Sequence, residues 1–315
     1  METRRIGSLD VSVVGLGCNN FGGRLDEDAT RAVVDAALDA GITFLDTADN
    51  YGDTRSEEFL GRILQGRRDR VVLATKFGGM RVDLGREGGA SPAYVREAAE
   101  ASLRRLQTDR IDLYQLHTPD GSTAIEDTLG ALDELVRAGK VREIGCSNFD
   151  AVLLARADAV YSPGAARFAS VQNELNLLDR RDVYAALPVA ERLGLAYIPY
   201  FPLASGLLTG KFRRGEPPPP GTRVAGWSAE RTDGVLNDET FDRIDALTSF
   251  AEARGRSLLE LAFGWLLSLD PVVSVIAGAT SPAQVDANVA AGTWRMDEHE
   301  LAELTRTLTP GATDG

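Results

Sequence analysis

Short apolar runs alternate with longer amphipathic stretches along this chain from residue 12 onward. The short runs are rich in β-branched residues and predict strands, whereas the longer stretches repeat apolar residues with a helical period and predict helices. The predicted strands cover residues 13–16, 43–46, 71–75, 111–116, 141–146, 170–172, 196–200 and 273–276. The predicted helices cover residues 27–40, 56–65, 92–106, 124–138, 151–157, 182–193, 240–254 and 282–291.

This regular alternation of strands and helices is typical of parallel βα units. Eight successive units predict an α/β fold of the closed (β/α)8 TIM barrel type, which usually needs about 250 residues. A doubly wound sheet is the alternative. The remaining residues are predicted to form an N-terminal β-hairpin cap at 4–13 with its turn at 7–10, a long loop at 202–238 after the seventh strand, and an extra C-terminal helix at 297–308. We find no repeat and no dividing linker, so we expect a single domain over residues 1–315.

The charge of the chain argues against two kinds of partner. Lys and Arg number 34 against 47 Asp and Glu, which gives a formal net charge of −13. Such a surface repels nucleic acids and anionic membranes. The N-terminus lacks the apolar core of a signal peptide, and the longest uncharged stretch, residues 193–210, is interrupted by Pro199 and Pro202. We therefore expect a soluble cytoplasmic protein with neither partner, and the oligomeric state stays open.

Polar and ionisable side chains stand where the predicted strands end. In a (β/α)8 barrel these strand ends form the active-site face, and here they carry Asp46, Tyr51, Lys76, His117, Ser147, Asn148, Gln172, Asn173 and Tyr200. Each residue alone is commonly structural, but their coincidence at successive strand ends favours a catalytic site.

The residue types at these ends suit proton transfer to a carbonyl group. An ammonium beside a phenol lowers the pKa of the phenol, so Lys76 would make Tyr51 a better proton donor. Asp46 would keep Lys76 charged, and His117 could donate a hydrogen bond to a substrate oxygen. Such a group would protonate a carbonyl oxygen while hydride reaches the carbon, which requires a hydride donor.

Three segments that carry these residues resemble the signatures of the aldo-keto reductase family. They are GITFLDTADNYG at residues 41–52, VVLATKFG at 71–78 and LYQLHTPD at 113–120. The resemblance covers nearly the whole chain. It implies that Tyr51 is the general acid in reduction and the general base in oxidation, and that Lys76 lowers its pKa. It also implies that Asp46 supports Lys76 and that His117 orients the carbonyl. We expect no metal site.

Four other segments resemble the cofactor-binding motifs of the same family. They are GKVREIGCSNF at residues 139–149, VQNELNLL at 171–178, YIPYFPLASGLLTGKF at 197–212 and AGATSPAQVDAN at 277–288. The resemblance implies that NADP(H) lies across the barrel mouth, in contact with Gly17, Cys18, Asn19, Asp46, Ser147, Asn148, Gln172, Tyr200, Phe201, Pro202, Leu203, Ser205, Gly206, Lys211, Arg223, Gly278, Thr280, Gln284 and Asn288.

The resemblance also implies a direction for the cofactor along the mouth. Ser147, Asn148 and Gln172 would hold the nicotinamide carboxamide, and Tyr200 would stack on the nicotinamide ring. Residues 17–19 would line the adjacent ribose, and residues 202–206 would hold the pyrophosphate. Lys211 would lie near the phosphates, Arg223 on the adenosine side, and residues 278–288 at the adenine. The sequence departs from the family pattern in two places, with Phe201 where Ser is usual and Ala287 where Glu is common.

A dense basic group favours NADP(H), with NAD(H) the less favoured cofactor. Lys211, Arg213, Arg214 and Arg223 stand close together in an acidic chain, and a 2′-phosphate is recognised by such cations. A Rossmann site is not predicted, because Asn20 occupies the place of the third glycine of a G-x-G-x-x-G motif in GLGCNNFGG. The two cysteines, Cys18 and Cys146, form no C-x-x-C pair and are expected to be buried free thiols.

The substrate pocket is predicted from the loops that follow the barrel strands. Residues 77–91, residues 202–238 and the C-terminal tail would cover the barrel mouth, and the short tail argues against a deep steroid-type pocket. The predicted pocket residues are Phe21, Tyr51, Phe77, His117 and Trp227. The expected substrate is a small carbonyl compound or the corresponding alcohol.

Three functions fit these residues. The first is an NADPH-dependent reductase of aldehydes and ketones that can also oxidise alcohols. The second is an NADP(H)-sensing regulatory subunit of the potassium-channel β-subunit type, which shares the barrel. The lack of an N-terminal extension that could act on a partner favours the enzyme. The third is a Schiff-base aldolase on Lys76, which Asp46 disfavours because that chemistry needs a neutral amine.

Overall fold

The computed structural model describes residues 1–79 and 89–308 of the chain. Eight parallel strands form a nearly closed barrel, which confirms the predicted fold class. Each observed strand end lies within two residues of its predicted position. An N-terminal hairpin consists of β1 (Thr3–Ile6) and β2 (Leu9–Ser12). The barrel strands are β3 (Val14–Gly17), β4 (Phe44–Asp46), β5 (Val72–Phe77), β6 (Ile111–Leu116), β7 (Val141–Ser147), β8 (Phe168–Glu174), β9 (Ala196–Tyr200) and β10 (Val275–Gly278).

The strand order brings all the carboxyl ends to one mouth. The strands follow the order β10-β3-β4-β5-β6-β7-β8-β9, and every neighbouring pair is parallel. A parallel bridge joins Tyr197 of β9 to Val272, which lies three residues before β10. The Val273 amide donates to the Tyr197 carbonyl at 3.1 Å. Because parallel strands end on the same side, residues that follow different strands face one another there.

Helices cover the outside of the barrel. Nine of the observed helices correspond to predicted ones, although α6 begins four residues late because residue Ala185 has a non-helical backbone, with φ −117° and ψ −89°. The helices are α1 (Glu27–Asp39), α2 (Arg55–Ile63), α3 (Pro92–Leu106), α4 (Ile125–Arg137), α5 (Ala151–Ala159), α6 (Ala186–Leu193), α7 (Ala229–Val235), α8 (Asp238–Glu252), α9 (Leu258–Leu267), α10 (Pro282–Ala291) and α11 (Glu298–Thr307).

Two of these helices were not predicted. The short helix α7 lies within the expected loop 202–238, and α9 lies just before the last barrel strand. Apart from Leu259 and Glu260, every residue of α9 is buried, and a capping box of Ser257 and Glu260 begins the helix. The helix packs against β10 and α10, whereas α8 packs on α9 and α11. The predicted helix at 240–254 is present as α8, whereas α9 was missed because a helix that is apolar on nearly every side has no amphipathic period to detect.

The N-terminal hairpin fills the amino-terminal end of the barrel. Ile6, Leu9 and Val11 form one buried cluster with inward-facing residues of the barrel strands, such as Leu113 and Ile198. Ile6 pairs with Leu9, so the turn has two residues rather than the predicted four. Gly7 has a φ of +56°, which this tight turn requires. The closed lower end leaves the upper mouth for binding.

The structure does not describe all of the loops that were predicted to cover the barrel mouth. Residues 80–88 of the loop 77–91, and the whole tail 309–315, lie outside the described residues. Within the described ranges, no helix combines the length and the apolar character that a membrane crossing needs.

Candidate active site

A buried chain of polar groups lies at the centre of the barrel mouth. Asp46 ends β4 and Lys76 lies in the adjacent strand β5, so their side chains meet inside the barrel. The Lys76 ammonium donates to Asp46 Oδ2 at 2.5 Å, to the Thr47 carbonyl at 3.0 Å and to the Tyr51 hydroxyl at 3.4 Å. Lys76 is fully buried and Asp46 is 2% exposed. The phenol therefore has an ammonium as its immediate neighbour.

Burial and charge set the protonation states of this chain. Burial lowers the pKa of Lys76, but Asp46 and Tyr51 outweigh it, so the pKa of Lys76 lies above its ordinary value. Burial raises the pKa of Tyr51 above its ordinary value, and the lowering effect of Lys76 is smaller. Lys76 does lower the pKa of Tyr51, as expected. The net pKa of Tyr51 is nevertheless raised, because desolvation of the phenolate has the larger effect. At neutral pH the pair is a neutral phenol beside an ammonium, and a neutral amine for Schiff-base chemistry is absent.

His117 faces Tyr51 from the end of β6, with β5 between their strands. It directly follows β6, and its amide donates to the Phe77 carbonyl at 2.8 Å. The two rings meet edge to face, with centroids 5.9 Å apart. Burial and the Lys76 charge lower the pKa of His117 to about 3. The imidazole is therefore neutral at physiological pH and can donate one N–H.

A large cavity opens from these residues along the barrel mouth. Its volume is about 890 Å³, and Tyr51 and His117 form part of its wall. Every residue that the sequence assigned to cofactor binding also lines it, from Gly17 and Cys18 to Gln284 and Asn288. The structure thus brings together residues from seven of the eight barrel strands and the loops behind them.

Amide and hydroxyl groups form one end of the cavity wall. The Ser147 hydroxyl donates to the Gln172 carbonyl at 2.7 Å. Asn148 donates from Nδ2 to the His117 carbonyl and accepts from the Tyr200 hydroxyl, both at 2.8 Å. Asn148 has a φ of +60°, a left-handed conformation that asparagine tolerates better than most residues. These bonds hold the ring of Tyr200 beside the catalytic candidates.

Three cations line the cavity without carboxylate partners in the described ranges. They are Lys211, Arg223 and Arg24. The first two were predicted from the sequence, whereas Arg24 was missed. Burial and the Arg24 charge lower the pKa of both Lys211 and Arg223, so Arg24 repels each of the other two cations. An anion in the cavity would relieve this repulsion.

The cations that line the cavity are not the same set as the basic group predicted from the sequence. Arg214 turns away from the cavity and binds Asp238, Asp242 and Asp245 of α8 at 2.7 to 3.0 Å. Arg213 is exposed and does not line the cavity. Arg24 was not considered because it lies about 190 residues away in sequence, and only closure of the barrel brings it to Lys211.

Arg223 connects the long loop to the loop after β3. Its guanidinium donates to the side-chain oxygens of Asn19 at 3.1 Å and Asn20 at 3.3 Å. It also lies 5.3 Å from the ring centroid of Phe201. Phe201, the departure from the family pattern, thus supplies a cation–π contact in place of a hydroxyl.

The other end of the cavity lies where β10 leads into α10. The Thr280 amide and hydroxyl donate to Gln284 Oε1 at 2.8 and 3.2 Å. The N-cap residue Ser281 makes no side-chain bond to the first turn. Pro282, the first residue of α10, has no N–H group, and the Gln284 amide already donates to the Ser281 carbonyl at 3.1 Å.

The structure places the five predicted substrate-pocket residues in different surroundings. Phe21 and Phe77 are fully buried in the core, and Phe77 packs on Tyr114 with centroids 4.6 Å apart. Neither lines the cavity. Trp227 is half-buried outside the cavity wall, with the Arg231 guanidinium 4.0 Å above its ring. Of the five predicted pocket residues, only Tyr51 and His117 reach the cavity.

Gln115 is a further polar residue of the site that the sequence reasoning missed. It is fully buried and donates from Nε2 to Asp46 Oδ1 at 3.1 Å. It precedes His117 by two residues, and residues two apart in a strand share a face. That spacing was the available signal.

Both cysteines are buried free thiols, as expected. Cys18 lines the cavity, and burial together with the Asp46 charge raises its pKa well above the ordinary value. Burial raises the pKa of Cys146 in the same way. Both sulfurs therefore stay protonated and unreactive at neutral pH.

Comparison with known proteins places the fold and site in a family. The chain matches the Aldo/keto reductase family over residues 13–308. It is 34% identical to Aldo-keto reductase str7 of Strobilurus tenacellus, over 97% of this chain and 91% of that protein. It is 33% identical to Aldo-keto reductase YhdN of Bacillus subtilis, over 95% and 91%. It is 34% identical to Probable aldo-keto reductase 1 of Glycine max, over 98% and 88%.

The chain therefore belongs to the aldo-keto reductase family. Membership makes it an oxidoreductase that acts on small molecules, in a family that generally uses nicotinamide cofactors.

Proposed function

We propose that the protein reduces aldehydes or ketones with NADPH and oxidises the corresponding alcohols in reverse. The observation that carries the proposal is the hydrogen-bonded chain from Asp46 through Lys76 to Tyr51, which opens into the cavity. In this proposal Asp46, Tyr51, Lys76 and His117 are the catalytic residues. We further propose that the enzyme is cytoplasmic and that its substrate is a small carbonyl compound.

The residues of the cavity fit a dinucleotide phosphate. A volume of about 890 Å³ lies within the range of small-molecule and cofactor sites. Arg24, Lys211 and Arg223 supply positive charge without carboxylate partners in the described ranges, which suits phosphate groups. Amide groups at one end of the cavity suit a ligand that carries a carboxamide. We assign the cofactor as NADP(H) on this charge.

The bound cofactor would supply hydride to the carbonyl carbon. Tyr51 would deliver the hydroxyl proton to the carbonyl oxygen, because it is a neutral phenol at neutral pH. Lys76 would stabilise the phenolate that remains, since its pKa lies above the ordinary value and it stays charged. His117, being neutral, would donate its N–H to the same oxygen without competing as an acid. Oxidation would return the proton to Tyr51.

The test is a panel of carbonyl compounds and alcohols assayed by NADPH absorbance. We expect turnover of several aldehydes or ketones, and we expect Tyr51→Phe to bind NADPH normally while losing most of that turnover. Tyr184→Phe is the matched control, because Tyr184 is 74% exposed and lies outside the cavity. Tight NADPH binding without turnover across a broad panel would instead support the sensing subunit.

A further inference from the structure

A pair of buried glutamines connects the cavity to the catalytic carboxylate. Gln172 lines the cavity and donates from Nε2 to Asp46 Oδ1 at 3.0 Å. The same Nε2 donates to Gln115 Oε1 at 3.3 Å. Gln115, which lies behind the cavity wall, donates from its own Nε2 to Asp46 Oδ1 at 3.1 Å. One carboxylate oxygen thus accepts two amides, while the other accepts Lys76.

These bonds fix which atom of each amide faces inward. A carboxylate paired with an ammonium only accepts hydrogen bonds, so the amide atom that faces Asp46 must be nitrogen in both glutamines. Gln115 must then turn Oε1 towards Gln172, where it accepts the second N–H of the Gln172 amide. Gln172 is left with Oε1 as the atom that its amide can offer to a ligand. The cavity wall at this point presents an acceptor.

The neighbouring groups reinforce the acceptor character of the wall. The Ser147 hydroxyl donates to the main-chain carbonyl of Gln172, and Ser147 Oγ accepts from Asn148 Nδ2 at 3.2 Å. Asn148 Nδ2 also serves the His117 carbonyl. The donors of Ser147 and Asn148 are therefore committed within the protein.

We propose that Gln115 is a positioning residue that locks the Gln172 amide so that the site selects a nicotinamide carboxamide over a carboxylate. A carboxamide donates N–H to Gln172 Oε1, whereas a carboxylate can only accept. A carboxylate could accept a hydrogen bond from Gln172 only if the Gln172 amide reversed. Reversal breaks the hydrogen bonds from Gln172 to Asp46 and Gln115, and it places Gln172 Oε1 against Asp46 Oδ1 and Gln115 Oε1. This inference rests on the proposed function, because it takes the nicotinamide end of the cofactor to lie at Gln172.

Gln115→Met is the variant that separates this role from packing. Methionine keeps the length and approximate volume of glutamine but neither donates nor accepts in the same way. Reversal of the Gln172 amide then costs one hydrogen bond less, and one bond corresponds to roughly a three- to tenfold change in a binding ratio. Tyr114→Phe is the matched control on the same strand, because the buried Tyr114 hydroxyl makes no hydrogen bond in the described part of the chain.

The measurement is direct binding, followed by tryptophan fluorescence, of three ligands. They are NADP, its nicotinic acid analogue with a carboxylate in place of the carboxamide, and 2′-phosphoadenosine diphosphate, which lacks the nicotinamide. We expect the wild type and Tyr114→Phe to prefer NADP over the acid analogue. We expect the preference to fall roughly three- to tenfold in Gln115→Met, with binding of the third ligand unchanged.

Several results would overturn the inference, and they differ from failure of the proposed function. A wild type that binds both dinucleotides equally, or a Gln115→Met variant with the full preference, contradicts it. Equal weakening of all three ligands assigns Gln115 a purely structural role and also contradicts it. A wild type that prefers the carboxamide but reduces no carbonyl compound contradicts the proposed enzyme and leaves the inference standing.

Discussion

At the scale of single residues, the catalytic candidates depend on one another more than on their own chemistry. Tyr51 gains its charged neighbour only because Asp46 holds the buried Lys76 in its protonated form. An isolated lysine at this depth would lose its proton to escape the cost of desolvation. The three residues therefore act as one unit.

This dependence predicts strong non-additivity between Tyr51 and Lys76. Tyr51→Phe removes the proton donor, and Lys76→Met removes the charge that stabilises the phenolate. We expect each to lower kcat by about a thousandfold or more and the double variant to lose little beyond the worse single one. Single-turnover rates with saturating NADPH measure this. Losses that multiply would show that the two groups act separately.

The protonation state of His117 predicts a specific pH effect on stability. Its pKa is about 3 in the folded protein and about 6.5 when unfolded. Between these values the unfolded chain takes up the proton first, so stability falls as the pH drops below 6.5. At pH 5 the cost is on the order of 2 kcal/mol.

Two histidine variants test this pH effect by urea unfolding at pH 7.5 and pH 5. We expect His117→Gln to lose less stability on acidification than the wild type. His299→Gln should behave like the wild type, because His299 is exposed in α11. A His117→Gln variant with the full acid sensitivity would contradict the neutral assignment.

Thr54, three residues after Tyr51, carries backbone strain. It has a φ of +72°, a left-handed conformation that a β-branched residue avoids. Thr54→Gly should change the free energy of unfolding by less than about 1 kcal/mol, because relief of the left-handed strain offsets the lost hydrogen bond to Glu58 and the greater freedom of glycine in the unfolded chain. Chemical unfolding measures the change. Thr293→Gly is the control and should be destabilising, since Thr293 is not among the residues with positive φ.

At the scale of elements, the long connection between β9 and α8 forms one wall of the cavity. Arg24 donates to the Gly221 carbonyl, and Arg223 reaches back to Asn19 and Asn20. On the other side, Arg214 fastens the same connection to α8. Gly206 is required here, because its φ is +98° and a Cβ would lie 2.9 Å from Lys211 Nζ. The connection is a structured wall rather than an open loop.

Arg24 is therefore predicted to contribute to cofactor affinity. Arg24→Met removes one of the three cations and the bond to Gly221, so the dissociation constant for NADPH should rise about tenfold. The rise should shrink at high salt, because screening weakens the lost attraction. Arg213→Met is the control on the same connection, since Arg213 does not line the cavity. Equal effects of the two variants would assign the change to overall charge.

At the scale of the whole molecule, a net charge of −13 surrounds a small positive site. Arg24, Lys211 and Arg223 line the cavity without carboxylate partners in the described ranges, whereas Arg214, Arg96 and Arg110 are paired with carboxylates elsewhere. The field at the mouth thus favours an anionic ligand locally. This contrast is the physical basis for preferring NADPH.

The charge contrast predicts unequal dissociation constants for NADPH and NADH. The 2′-phosphate adds up to two negative charges, so NADPH should bind at least about tenfold more tightly at low salt. The difference should narrow as ionic strength rises. Fluorescence titration of both cofactors at two salt concentrations provides the comparison. Equal constants at low salt would contradict the NADP assignment.

The sequence by itself determined the barrel and the identity of the residues at its mouth. The eight strand periods and the residues that follow each strand are local properties, and strand ends such as Ile111, Leu116, Ala196 and Tyr200 lie at their predicted positions. Local patterns fail where burial is uniform, and this is why α9 was missed.

Only the tertiary structure decided which side chains meet. Phe21 and Phe77 have the composition of a pocket, yet the packing of the barrel buries them in the core. Arg24 joins Lys211 and Arg223, and Gln115 joins Asp46, because barrel closure brings together residues distant in sequence. The balance at Tyr51 between burial and the Lys76 charge is likewise a property of depth and distance, which no local pattern encodes.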